Sequence, residues 1–338
     1  MKVAAMFGDG TGGLVDQPDP QAKGDFVIVK ILVAPMCTEY KSFGGGGKGE
    51  GFGHEAAGEV VEAPQKGQYA VGDRVVVQPL NACGTCWLCA KGEYIHCQNS
   101  RNMHEETGST SGGATYAQYT VKPDYMLSPI PEDVSIDHGG MAVCGLGPTF
   151  GAMQQMQVDR FDTVMITGMG PVGLGGVING TFRGASVIAV ESHSYRANLA
   201  KELGAELVVD PNDENAMNMV MDFTSGVGVD KAMDCSGVAP AHRFLIDAAR
   251  RKGQVSFIGE AGDLTIKISQ DMIRKGLVLR GNWHYNKSDY PKLLEVIRNS
   301  KEKLDQFITH QFPMSEVQKA WELQITGNCG KVVLDPWA

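Results

Sequence analysis

An apolar run, Thr163 to Thr167, leads directly into Gly168-Met169-Gly170-Pro171-Val172-Gly173. A G-x-G-x-x-G placed between a strand and a helix constrains the fold more than any other feature of this chain. Gly168 permits the tight turn, Gly170 lets a pyrophosphate approach the backbone, and Gly173 lets the helix pack closely on the strand. The helix N-terminus, with Pro171 and Val172, then faces phosphates with free N–H groups and a favourable dipole. A second strand-like run, Ala185 to Val190, ends at Glu191, eighteen residues past Gly173. A carboxylate there can accept from both ribose hydroxyls and would repel a 2′-phosphate, which favours NAD over NADP. Arg196 is a nearby base that would tolerate NADP. A glycine turn that packs without ligand is the alternative. Further runs, Leu207 to Val209, Val229 to Cys235 and Gln254 to Ile258, alternate with helical stretches at Tyr195 to Leu203 and Ala239 to Arg251. That alternation describes a parallel sheet with crossover helices.

The texture before Pro148 is different. Short runs such as Phe26 to Val33, Gly58 to Glu62 and Asp73 to Val77, broken by Gly and Pro, suggest a β-rich barrel or sandwich. From about Asn286 the chain shows two amphipathic helical segments, Pro291 to Asn299 and Ser315 to Thr326, and a strand at Lys331 to Leu334. With 338 residues, two domains are expected. The net charge of −9, with acids and bases interspersed, argues against nucleic acid or an anionic membrane as partner. No apolar stretch approaches the ~20 residues that span a bilayer, and the N-terminus lacks a leader pattern. A cytoplasmic location is expected, where thiols stay reduced and bind metals.

Cys83, Cys86, Cys89 and Cys97 form a C-x2-C-x2-C-x7-C ladder. Four thiols this close suit a tetrahedral ion with soft ligands, zinc being the common one. Two disulfides are the alternative. A four-thiolate site is closed, so the ladder carries no chemistry of its own. Outside it stand Cys37, His54 and Cys144. A zinc with three protein ligands keeps an open place for substrate, but by residue type alone each of the three also reads as an ordinary buried side chain.

Taken together, the Gly53-His54-Glu55-x-x-Gly58 motif, the ladder, the Gly168 turn and Asp230-x-x-x-Asp234-Cys235-Ser236-Gly237 resemble the zinc-dependent medium-chain dehydrogenases, the alcohol, polyol and threonine dehydrogenase superfamily. The resemblance runs over nearly the whole chain. It implies a GroES-like β-barrel catalytic domain at 1–148, with a structural zinc lobe at 81–98. A Rossmann doubly wound domain at 149–285 and a C-terminal return to the catalytic domain at 286–338 would follow. It also implies two zinc ions, one on Cys37, His54 and Cys144 and one on the ladder, with NAD as the dinucleotide. Glu55 matches the carboxylate beside the ligand histidine, and Thr149 is expected on the nicotinamide side. Cys144 leans toward the alcohol dehydrogenase pattern, since polyol and threonine dehydrogenases usually carry a carboxylate there. A homodimer or homotetramer is expected, and Leu277 to Gly281 is a candidate edge strand.

Three departures stand out. Glu39 occupies the position of the usual Ser or Thr proton relay, where it would be a base, a substrate contact, a zinc ligand or an exposed bystander. The stretch Ser42 to Gly49 is a short glycine loop that opens the pocket to larger or more polar substrates. Arg101 to Ser111 is polar, and His104 faces either the pocket or solvent. The implied reaction is hydride transfer between a secondary alcohol, polyol or sugar-derived hydroxyl and NAD. A carbonyl reductase using NAD(P)H, or a zinc-stabilised dinucleotide-binding protein without catalysis, are the alternatives.

Overall fold

The computed structural model describes residues 1–64, 66–110 and 112–338. Ser111, the last residue of the polar Arg101 stretch, lies outside them. The chain forms two compact units: residues 1–145, 286–304 and 308–338 in one, and 146–285 with 305–307 in the other. The first boundary thus falls after Gly145 rather than after Pro148. No helix among the described residues is long and apolar enough to cross a membrane.

The first unit is built on β structure. Its largest sheet has seven strands, running Ile308–Pro313, Lys331–Asp335, Phe26–Pro35, Ala56–Glu62, Arg74–Val77 and Leu127–Pro129, with Tyr119–Pro123 paired to the other side of Phe26–Pro35. Alternating β-branched residues drive these strands, and Val27, Val29, Ile31, Val60, Val75 and Val77 share one buried core. A small sheet joins Gly12–Asp16, Lys2–Phe7 and Lys48–Glu50. The helix Val317–Thr326 sends Trp321 into the same core, fully buried. There Trp321 stacks on Phe43 with centroids 5.1 Å apart. That contact anchors a six-residue helix, Glu39–Gly44. The expected open loop at Ser42 to Gly49 therefore begins as the end of this helix, turns through Gly45 to Gly47, and enters the strand Lys48–Glu50.

The second unit is a six-stranded parallel sheet with the order Leu207–Val209, Ser186–Val190, Thr163–Thr167, Val229–Asp234, Ala249–Phe257, Val278–Gly281. This is the doubly wound order, and its topological switch lies at the carboxyl end of Thr163–Thr167. The helix expected to reach Arg251 stops at Ala248, and Ala249 already pairs in the next strand. Val278–Gly281 is the edge strand of the sheet.

Candidate active site

Strand pairing explains how distant residues meet. Cys37 follows Phe26–Pro35, and His54 and Glu55 precede Ala56–Glu62; the two strands pair antiparallel, with Val33 opposite Ala57. The end of one strand therefore meets the start of the other. The amide of Met36 donates to the Val332 carbonyl at 2.8 Å, fixing the chain just before Cys37. Cys144 sits in the turn after the helix Ile136–Gly140. Ligand atoms of Cys37, His54, Glu55 and Cys144 all lie within 4.8 Å of one another. His54 Nε2 is 3.3 Å from the Cys144 sulfur, and the imidazole is 36% exposed, so the cluster keeps one open side.

Glu39 is neither exposed nor free. Its side chain is 12% exposed and Oε1 lies 2.8 Å from His54 Nδ1. Oε2 accepts from the Tyr116 hydroxyl at 2.8 Å and from the Cys37 amide at 3.2 Å. A carboxylate on Nδ1 holds that proton in place and would leave Nε2 to bind a metal, as in the usual outer support of metal-binding histidines. Burial raises the Glu39 carboxyl, but the bond and charge of His54 outweigh it and bring it down to about 2. Burial opposes charge on His54, while bonds to the Cys37 sulfur and to Glu39 lift it to about 11. A hydrogen bond from Cys144 pulls Cys37 well below the ordinary thiol range, and the same bond pushes Cys144 well above it. A cation binding between them would displace the shared proton.

Behind the cluster lies a fully buried ion pair that sequence reading missed. Lys331 Nζ donates to both Glu55 oxygens, at 2.8 and 3.0 Å, and neither residue is exposed. Glu55 Oε2 also accepts from the Cys144 amide at 3.2 Å. Burial pushes Glu55 up, to about 7, against the pull of the Lys331 ammonium. Burial disfavours charge on Lys331, yet Glu55 and the two thiols hold its affinity for the proton above the ordinary lysine value. Glu55 thus supports the Cys144 backbone.

The ladder closes on itself. Cys83, Cys86, Cys89 and Cys97 place their sulfurs within 4.8 Å of one another. Separations of 3.5, 3.9 and 4.0 Å occur for Cys86–Cys89, Cys86–Cys97 and Cys83–Cys89. Tetrahedral zinc with bonds near 2.3 Å would set sulfurs roughly 3.8 Å apart, so the spacing fits one ion. Amides of Cys86 and Asn99 donate to the Cys83 and Cys97 sulfurs, at 3.3 and 3.4 Å. Donors of this kind stabilise thiolates, and amide bonds from Thr85 first, then Cys86, draw Cys83 down to about 6.

In the second unit the glycine turn stands at the carboxyl end of Thr163–Thr167. Gly168 has φ +80°, and a Cβ there would meet Ser236 at 2.7 Å. A Cβ on Gly173 would meet the Gly168 carbonyl oxygen at 2.0 Å, whereas Gly170 faces open space. Gly170 caps the helix Pro171–Phe182 without a side-chain acceptor, so its first amides are available to phosphate oxygens. Glu191 follows Ser186–Val190, and its carboxylate accepts from Met169 N and His193 N, each at 2.8 Å. The Glu191 carboxylate is thus tied directly to the glycine turn. Arg196 lies in the helix Ser194–Glu202, and its Nε has no partner among the described residues.

Residues 171–299 match the family described as zinc-binding dehydrogenase, and residues 25–132 match the alcohol dehydrogenase GroES-like domain. L-threonine 3-dehydrogenase of Pyrococcus horikoshii is 31% identical, over 94% of this chain and 93% of its own length. The chain belongs to the zinc-binding dehydrogenases. Another member, sorbitol dehydrogenase of Halalkalibacterium halodurans, is 26% identical over 99% of this chain and 98% of its own. Among solved structures, an alcohol dehydrogenase from a Thermus species matches with a TM-score of 0.89 at 21% identity, each chain covered to 99%. An alcohol dehydrogenase of Thermotoga maritima matches at 0.82 and 26% identity, again with 99% of each chain covered. The β-rich unit is accordingly the GroES-like fold and the parallel sheet the Rossmann fold.

Within this zinc-binding dehydrogenase Thr149 has a packing role. Thr149 is fully buried; its hydroxyl donates to the Leu146 carbonyl at 3.2 Å and accepts from Asn179 Nδ2 at 2.9 Å. It joins two helices of the Rossmann unit. Cys144, read as a lean toward alcohol dehydrogenases, does not track the similarity, since L-threonine 3-dehydrogenases match at 30–31% identity. His104 is exposed, on the short helix Met103–Thr107. Cys235 and Cys329 lie outside both sulfur clusters.

Proposed function

We propose that the chain removes a hydride from a secondary alcohol, polyol or sugar-derived hydroxyl and gives it to NAD, with reduction of the carbonyl as the same step reversed. The observation that carries this is the convergence of Cys37, His54 and Cys144 with His54 Nε2 turned toward the thiols. Two sulfurs and one imidazole fit a catalytic zinc with one place left for substrate. Zinc would supply the polarisation that acidifies a hydroxyl near neutral pH, and NAD the hydride acceptor. Glu39 orients His54, with Oε1 on His54 Nδ1 and Oε2 on the Tyr116 hydroxyl. Glu55 and Lys331 hold the Cys144 backbone. Gly168, Gly170 and Gly173 form the turn for the pyrophosphate, and Glu191 the acceptor for the ribose hydroxyls. Cys83, Cys86, Cys89 and Cys97 would take a second, structural zinc.

The substrate class is supported by the relatives' names: L-threonine 3-dehydrogenase, sorbitol dehydrogenase and, at 27% identity, D-arabitol-phosphate dehydrogenase of Enterococcus avium. The experiment is a panel of threonine, polyols, sugar alcohols and simple alcohols with NAD and with NADP, following absorbance of the reduced cofactor. Turnover of a secondary hydroxyl with NAD preferred is expected. Strong NADP preference would overturn the reading of Glu191, and no turnover by zinc-loaded protein on any of these would overturn the substrate class.

A further inference from the structure

One buried phenol joins the segments that carry two of the candidate ligands. Tyr116 is fully buried. Its ring lies against Gly53, where φ is +85° and a Cβ would meet the ring at 2.4 Å. Its amide donates to the Phe52 carbonyl at 2.9 Å. Ring and backbone are thus seated on the two residues before His54. The hydroxyl reaches the other segment: it accepts from the Cys37 amide at 3.2 Å and donates to Glu39 Oε2 at 2.8 Å. Glu39 Oε1, in turn, meets His54 Nδ1 at 2.8 Å. A phenylalanine would fill the same seat and make none of the hydroxyl contacts. A buried hydroxyl in so apolar a seat is expensive unless it is bonded, and here it has both a donor and an acceptor role.

We infer that Tyr116 is a positioning residue for the zinc ligands: its hydroxyl fixes Glu39, so that His54 keeps its proton on Nδ1 and presents Nε2, and it restrains the Cys37 backbone at the same time. This rests on Cys37, His54 and Cys144 being the zinc site. The donor set fits that ion, and outer hydrogen bonds of this kind are conserved supports whose loss weakens metal binding about 10–100-fold.

The test follows release of zinc from the holoenzyme to a chromogenic chelator. In Tyr116→Phe one of the two zinc ions should leave about tenfold faster. The ladder zinc should leave at the wild-type rate, and the unfolding temperature should be nearly unchanged. Most of that acceleration should vanish when the substitution is made in a Glu39→Ala background, because the effect passes through Glu39. Unchanged release in Tyr116→Phe would overturn the inference. So would faster release of both ions together with a lower unfolding temperature, which would mark a general packing role. Cys37→Ser separates the two levels. Loss of one zinc there, with unchanged release in Tyr116→Phe, overturns the inference alone. Two zinc ions retained in Cys37→Ser would overturn the site assignment and the inference with it.

Discussion

Among single residues, the pair Glu55–Lys331 has the clearest energetic consequence. Both groups are fully buried, and each is the other's main compensation for lost hydration. Removing one partner strands a charge or forces it neutral, which costs about 3–5 kcal/mol, whereas replacing both is far milder. Lys331→Met should therefore destabilise the protein strongly, and Glu55→Gln with Lys331→Met together should recover much of that loss. Chemical denaturation of the two single variants and the double one gives the coupling directly. Additive losses would mean that the pair acts as two independent packing residues. The sequence carried a faint sign of this pair, a lysine opening the apolar run Lys331 to Leu334. Nothing in it joined that lysine to Glu55, 276 positions away. Tyr116 had no sign at all, since its partners are set by tertiary contact. The candidate ligands were legible only through the family resemblance that the Gly53-His54-Glu55 motif helps to carry, and Glu39 was legible as unusual but not as a support for His54.

For elements, the strand–turn–helix at Thr163–Phe182 was readable from its pattern because each glycine meets a local demand. The short helix Glu39–Gly44 was not, because six residues carry too little periodicity and its hold comes from Phe43 on Trp321. The small sheet at the N-terminus was likewise hidden: Lys48–Glu50 is rich in glycine and becomes a strand only by pairing with Lys2–Phe7. The tightest point of the turn is Gly173, where a methyl group would sit 2.0 Å from the Gly168 oxygen. Gly173→Ala should push the helix off the strand and weaken dinucleotide binding at least tenfold, while both zinc ions stay bound. Titration calorimetry with NAD checks this. Undiminished affinity would show that the helix N-terminus does not bind the pyrophosphate.

The whole molecule's stability should carry the mark of another buried lysine. Lys122 is 2% exposed and donates to the Leu80 carbonyl at 2.6 Å and to Asn81 Oδ1 at 3.0 Å. Burial alone holds its amine down to about 7, against 10.5 ordinarily. Between those values the unfolded chain keeps a proton that the folded protein has released. Stability contributed by this residue therefore rises with pH from about 7 toward 10.5 and is lost as pH falls through that window. Unfolding temperatures of the wild type should show this upward component across pH 7 to 10, and Lys122→Met should lack it. Parallel curves for the two proteins would mean that the amine stays charged inside the fold. A β-rich unit followed by a parallel-sheet unit was legible from the change in texture along the chain, and the GroES-like fold from the resemblance. The return of residues 286–304 and 308–338 to the first unit followed only from the family resemblance.

The central claim is that Cys37, His54 and Cys144 hold a catalytic zinc distinct from the ion on the ladder. Its most direct test is metal content alongside NAD affinity in Cys144→Ser. Two zinc ions per chain are expected in the wild type, and one in the variant with turnover abolished and NAD affinity unchanged. Two zinc ions and retained turnover in Cys144→Ser would contradict it.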